Sequence, residues 1–227
     1  MIATAALPAA GLWRVARGGP GGLTFQAADR VDDDNPRGGN RFDSFTGSYG
    51  TLYFGASLEV CYAETLGRLR PKQSLAELAA SDWDEMHVML PGNIAADWRL
   101  RRTAVRARPT SHPFVDITHP DTLAELNQHP TLMAGLAHYG IDDLDLSDVT
   151  GKDRRVTRFI AEYLHDMQDD DGEPAWGGVR YLSRLGEGWA CWAMFDHCAF
   201  EVLERKSIAV TDPDLLAVTE RFGITVH

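Results

Sequence analysis

One carboxylate, Glu64, stands in a stretch whose residue types could hold and act on a small molecule. Before it come a loop with Asn40-Arg41-Phe42-Asp43 and an apolar, aromatic run, Leu52-Tyr53-Phe54. On a helical wheel Glu64 lies opposite Leu58, Tyr62, Leu66 and Leu69, among Val60, Cys61, Ala63 and Gly67. The wheel allows two readings. Glu64 is an ordinary solvated helix carboxylate, or its small, uncharged neighbours leave room for a ligand to come close. Two other known chemistries are not indicated. No Gly-x-Ser-x-Gly elbow surrounds Ser183, so a Ser-His-Asp nucleophile has no support there. The glycine run Gly18-Gly19-Pro20-Gly21-Gly22 has neither a following Gly-Lys-Ser/Thr nor GxGxxG spacing, so it is no phosphate loop.

The elements that must position these residues follow from local pattern. Leu52 to Phe54 has the composition of a short buried strand. Ser57 can cap a helix running to about Arg68, and Pro71 ends it. Leu12-Trp13-Arg14-Val15 reads as a strand with Arg14 at its middle, closed by a turn at the glycine run. Residues 36–51, rich in Gly, Asn and Ser, form an extended loop that delivers Arg41, and Asp32-Asp33-Asp34 is a solvated loop before it. Leu75 to Leu78 begins a further helix, and His87 to Leu90 is a strand closed by Pro91-Gly92. The basic run with Arg99, Arg101, Arg102, Arg106 and Arg108 reads better as an exposed face balancing an acidic surface than as a nucleic-acid patch.

His112, His119, His129 and His138 match no zinc spacing and read as surface or packing residues; no metal is expected. Val156, Phe159, Ile160, Tyr163, Leu164 and Met167 recur at helical spacing, which predicts a helix over Asp153 to Met167. The acidic run after it, up to Gly172, fails the calcium-loop positions and is a structural loop. Gly177 to Arg184 alternates Val179, Tyr181 and Ser183 against Arg180, Leu182 and Arg184, a strand pattern. Trp189 to Phe195 reads as a central strand, Phe200 to Leu203 as one more, and the remainder as a peripheral strand and helix.

Composition narrows the class. With 227 residues, 44% of them hydrophobic, the chain can bury a substantial core as one domain, and its length also allows two small ones. The formal charge of −11, from 22 Lys+Arg and 33 Asp+Glu, argues against nonspecific binding to nucleic acid or an anionic membrane. It leaves room for a small anion held by a few local arginines. Cys61, Cys191 and Cys198 are odd in number and form no CxxC pair, which suits reduced thiols. With no basic start to an apolar leader and no long apolar span, the expected location is cytoplasmic.

Trp13-Arg14, Asn40-Arg41-Phe42, the Leu52-Tyr53 strand, Ser57-x-Glu59, Glu64 eleven residues after Tyr53, Gly178-Val179-Arg180-Tyr181-x-Ser183 and the strand ending Phe195-Asp196 occur in one order. In this the chain resembles the RES domain, a family of bacterial toxin enzymes, over about residues 11–205, with 206–227 a peripheral extension of a single domain. The resemblance implies an α+β fold with a mixed β core akin to ADP-ribosyltransferases and flanking helices. It implies cleavage of the nicotinamide–ribose bond of NAD⁺ by hydrolysis or phosphorolysis, with NAD⁺ as substrate and no cofactor. A cognate helix-turn-helix (Xre-type) antitoxin is the implied partner, direct nucleic-acid and membrane binding are not expected, and a homodimer is left open. Alternatives are a mono-ADP-ribosyltransferase with a protein target and a non-catalytic interaction domain.

The implied roles suit the residue types. Guanidinium groups bind a diphosphate in bidentate fashion, a role for Arg14 and Arg41. Tyr53 offers an aromatic face to the cationic nicotinamide ring, with a core tyrosine as the competing reading. Bond cleavage develops positive charge on the ribose, which the Glu64 carboxylate would stabilise. Ser183 would hydrogen-bond the nicotinamide or that carboxylate. The catalytic set is therefore Glu64, Arg41 and Ser183, and the binding set Arg14, Tyr53 and Arg41.

Overall fold

The computed structural model describes residues 1–17, 20–71 and 92–227. The helix expected from Leu75, the strand His87 to Leu90, and Gly18, Gly19 and Pro91 of the two expected turns lie outside the described residues.

In chain order the elements are β1 (Thr4–Ala5), β2 (Leu12–Arg17), β3 (Thr51–Gly55), α1 (Leu58–Leu66), β4 (Asn93–Ile94), α2 (Ala96–Leu100), β5 (Arg102–Pro109) and β6 (Phe114–Asp116). There follow α3 (Pro120–Leu126), α4 (Pro130–Ala137), α5 (Leu146–Thr150), α6 (Arg154–His165), β7 (Gly178–Leu182), β8 (Ala190–Phe195), β9 (Phe200–Ser207), α7 (Pro213–Phe222) and β10 (Thr225–Val226). The fold is α+β, with mixed strand pairing and flanking helices, as the sequence reading expects. The chain forms two compact units.

The first unit comprises residues 1–9, 24–54 and 109–201. Its strands run in the order β1-β6-β7-β8-β3. β6 and β7 are parallel, whereas β1–β6 and β7–β8 are antiparallel, with Val179 opposite Ala193 and Tyr181 opposite Cys191. β8 has the near-continuous apolar sequence of an inner strand, and Cys191 to Phe195 are all buried. Close pairing with β7 depends on Gly178, whose φ is 153°. A Cβ there would lie 2.1 Å from the Ala193 carbonyl oxygen, so any side chain would force the strands apart.

α6 packs against β7, α4 and α5. Asp153 caps it by accepting from the Arg155 N–H, and Val156, Ile160, Ala161 and Leu164 form its buried stripe. The preceding Pro-punctuated segment contains three helices absent from the sequence reading. α3 and α4 each open with proline after a histidine cap, and α5 carries an Asp145–Asp148 capping box.

The second unit comprises residues 10–23, 55–108 and 202–227. β2 pairs antiparallel with β5 from Leu12–Ala107 to Arg17–Arg102, and β5 also adjoins β9. Ser57 caps α1, its hydroxyl accepting from the Val60 N–H at 3.3 Å. α7 packs on α1 with Leu215, Val218 and Phe222 buried, so the expected peripheral helix supplies core. β4 and β10 form a short parallel ribbon.

The basic run is not the exposed face that its charge suggests. Arg99 donates to the His227 carbonyl, Arg102 lies 4.6 Å over the Trp98 ring, and Arg106 pairs with Glu204 at 2.7 Å. Only Arg101 and Arg108 of the five are exposed. The guanidinium groups of Arg99, Arg102 and Arg106 instead find local acceptors.

Candidate functional site

Residues 24–50 of the first unit contain only an isolated bridge, Ala27 to Gly50, and no longer strand or helix. A loop of this length keeps one shape only if its backbone groups are satisfied elsewhere. Two polar residues one turn apart on α6 do this. Arg158, with no exposed surface, donates from Nε to the Ser44 carbonyl at 2.9 Å, from Nη1 to Gly38 at 3.1 Å and from Nη2 to Asp29 at 2.6 Å. Glu162 accepts from the Ser44 hydroxyl, the Phe45 and Thr46 N–H groups and the Thr46 hydroxyl. Burial pushes the Glu162 carboxyl up, but these bonds outweigh it and hold the group below its ordinary value.

The fastened loop sets Arg41. Asn40 donates to Asp43, and the Asp43 carboxylate accepts from the Tyr53 hydroxyl at 2.8 Å. That hydroxyl in turn accepts from the Phe42 N–H at 3.0 Å. Burial, with the Asp43 charge beside it, raises the Tyr53 phenol well above its ordinary value, so the group stays neutral. Arg41 is 8% exposed. Its Nη2 donates to the Leu182 carbonyl at 2.9 Å, and its guanidinium carbon lies 4.5 Å from the Tyr181 ring centroid. Nη1 is buried and has no hydrogen-bond partner among the described residues.

Packing thus depends on Arg41, although it sits in a loop rich in Gly and Asn. The loop turns it inward, onto the aromatic face of β7. A buried donor left unmade costs about 1–3 kcal/mol, more for a charged group, so an acceptor brought to Nη1 recovers what folding leaves unsatisfied. Ser183, 8% exposed, follows Leu182. It donates from its N–H to the Trp189 carbonyl, and its hydroxyl accepts from the Leu185 N–H at 3.0 Å. Tyr53 meets Tyr181 edge-on, with ring centroids 6.4 Å apart. Of the sequence-predicted residues, Arg41, Tyr53 and Ser183 thus gather around the end of β7.

The other two, Arg14 and Glu64, belong to the second unit. Val60, Cys61 and Ala63 are buried, so the small-residue face of α1 packs against the protein. The Cys61 thiol donates to the Trp13 carbonyl at 2.9 Å, and a Cβ on Gly55 would come within 2.9 Å of its sulfur. Close packing of α1 on β2 thus accounts for these small residues, and the ligand-approach reading of them falls. Glu64 is exposed from that buried surface. Burial pushes the Cys61 thiol up to about 12; the Arg14 charge opposes this and the Glu64 charge adds to it, so both side chains lie within electrostatic reach of one sulfur. Arg14 also donates from Nε to the Gly22 carbonyl at 3.0 Å. Glu59 pairs with Arg221 at 2.8 Å.

Arg158, Glu162 and Tyr181 are the residues that sequence reasoning did not assign to the site. The only signal for the first two is a pair of charges four apart on an otherwise amphipathic helix, which surface residues produce as readily.

The RES domain family's sequence profile matches residues 11–215, and the chain belongs to that family. No functionally curated protein matches it. Among solved structures it is similar to a chain in the crystal structure of the M. tuberculosis MbcT–MbcA toxin–antitoxin complex. The two share 13% identity with a TM-score of 0.48, over 94% of this chain and 88% of that one.

Proposed function

We propose that this chain is a toxin-type enzyme that cleaves the nicotinamide–ribose bond of NAD⁺ in the cytoplasm, held in check by a helix-turn-helix antitoxin. The observation that carries the reading is the unpartnered Nη1 of buried Arg41. A diphosphate oxygen is the acceptor such a donor lacks, and the Tyr181 face beneath the guanidinium keeps water from competing for it. Family membership supports the rest, including the ADP-ribosyltransferase kinship of the fold.

In this reading Arg41, with Arg14, binds the diphosphate, and Tyr53 meets the nicotinamide through its ring, since its hydroxyl is engaged by Asp43. The C1–N bond breaks with its electron pair going to the ring nitrogen, so nicotinamide leaves neutral and needs no strong acid. Glu64 supplies negative charge to the ribose cation, an interaction stronger in the transition state than in the ground state. Ser183 positions the amide or the carboxylate. Water adds hydroxide to C1 and releases a proton; phosphate instead gives the sugar 1-phosphate.

The test is chromatography of nucleotides after incubating purified protein with NAD⁺, with and without phosphate. Free ADP-ribose or its 1″-phosphate is the expected product. Labelled protein that forms only when extract is added identifies mono-ADP-ribosyl transfer instead. NAD⁺ left intact in both arms overturns the proposal. In cells, expression without neighbouring gene products should arrest growth and deplete NAD⁺.

A further inference from the structure

We propose that His165, Asp196 and His197 form a binding site for one divalent first-row transition-metal ion, with zinc as the best fit. His165 ends α6, and Asp196 and His197 follow β8 directly. One ligand atom from each of the three lies within 4.8 Å of the others. His165 Nε2 and Asp196 Oδ1 are 3.6 Å apart, beyond a good hydrogen bond but close to the edge of about 3.4 Å expected between ligands of a tetrahedral zinc.

What singles out this group is that the other polar atom of every ligand is already engaged. His165 Nδ1 lies 2.9 Å from the Asp166 carboxylate. His197 Nε2 lies 2.7 Å from the Trp176 carbonyl, which can only accept, so that nitrogen carries the proton. Asp196 Oδ2 accepts from the Gly50 N–H at 2.9 Å. These contacts fix both tautomers and leave His165 Nε2, His197 Nδ1 and Asp196 Oδ1 with lone pairs to offer, the outer-shell pattern that orients metal ligands.

Apolar and aromatic packing holds the rings. Tyr49 stacks on His165 at 3.9 Å with an interplanar angle of 4°, and Phe195 meets His165 and His197 at 5.4 and 5.9 Å. The His165 and Asp196 side chains are 20% and 38% exposed, so an ion can enter from solvent and keep water in a fourth position. Two imidazoles and one carboxylate suit zinc, cobalt(II), nickel or iron(II) and disfavour magnesium and calcium. A bound ion would tie the end of α6 to the turn after β8 and, through Gly50, to the start of β3.

The rival is a plain hydrogen-bonded cluster with His165 protonated between Asp196 and Asp166. To separate them, chelator-stripped full-length protein is titrated with zinc chloride by calorimetry and with cobalt(II) by visible absorption. The expected result is one equivalent bound with a Kd below about 10 μM, cobalt d–d bands and a raised melting temperature. His165→Ala and His197→Ala should each weaken binding at least about tenfold. Asp196→Asn, which keeps an acceptor for Gly50, serves as a third variant should either alanine variant fail to fold. His112→Ala, whose ring lies 5.6 Å from His197, should bind as wild type does. Wild-type zinc affinity weaker than about 10 μM, or unchanged affinity in the folded variants, overturns the site.

Discussion

Arg41 and Glu64 carry opposite charges assigned to the same chemistry, and their surroundings are opposite too. Arg41 is buried, leans on Tyr181 and is held by a loop whose backbone ends on Arg158 and Glu162. Glu64 is exposed, on a helix whose packing is already complete through Val60, Cys61 and Ala63. Under the proposed function, Arg41 would be a binding group and a folding group at once, so changing one property would change both. Glu64, the proposed reactive group, stands apart from the packing that supports its helix. Function should therefore be removable without stability at Glu64, and not at the Arg41 loop.

The largest effect expected is on turnover. Glu64→Gln should slow NAD⁺ consumption by about 10²–10⁴, or roughly 2.7–5.5 kcal/mol of transition-state stabilisation, with an unchanged melting temperature and retained NAD⁺ binding. Near-wild-type turnover would remove Glu64 from the mechanism and erase the contrast. Next comes Arg158→Met, which leaves three loop carbonyls, that of Ser44 buried, without their donor. Urea denaturation should show a loss of about 3 kcal/mol or more. A loss under about 1 kcal/mol would mean that the loop does not depend on its clamp.

Arg41→Ala lies between the two cases. NAD⁺ affinity should fall by about 1.5–3 kcal/mol, and folding should lose about 1 kcal/mol through the Leu182 bond. Arg41→Lys should not restore affinity, because an ammonium reproduces neither the fork nor the flat stack on Tyr181. Unchanged affinity in folded Arg41→Ala protein would take the residue out of the site. The smallest effect belongs to Glu59→Gln. It breaks an ion pair with the half-exposed Arg221, and both turnover and stability should stay within about 0.5 kcal/mol of wild type. A larger loss would show that α1 does not separate its charges from its packing.

The sequence shows those features whose cause is local. The Ser57 cap, the alternation that buries Val179, Tyr181 and Ser183, and the periodic stripe of α6 are set by neighbours within a turn or a strand. The proline starts of α3 and α4 were equally local and could have been read from His119-Pro120 and His129-Pro130. Arg158 could not. Its acceptors lie 114 to 129 residues away, and on a wheel it is one more polar position. The small residues around Glu64 illustrate the converse. Their pattern was plain, but close helix–strand packing and close ligand approach demand the same side-chain size, and only the position of Gly55 and Trp13 tells them apart.

The three thiols have a consequence for how this protein meets oxidants. All are buried, and burial lifts Cys61 to about 12 and Cys198 to about 11. Both groups therefore stay protonated at neutral pH, and the thiolate is the species that peroxide and electrophiles attack. Oxidative stress therefore finds no sulfur switch in Cys61 or Cys198, and electrophilic labels should leave both unmodified until the chain unfolds.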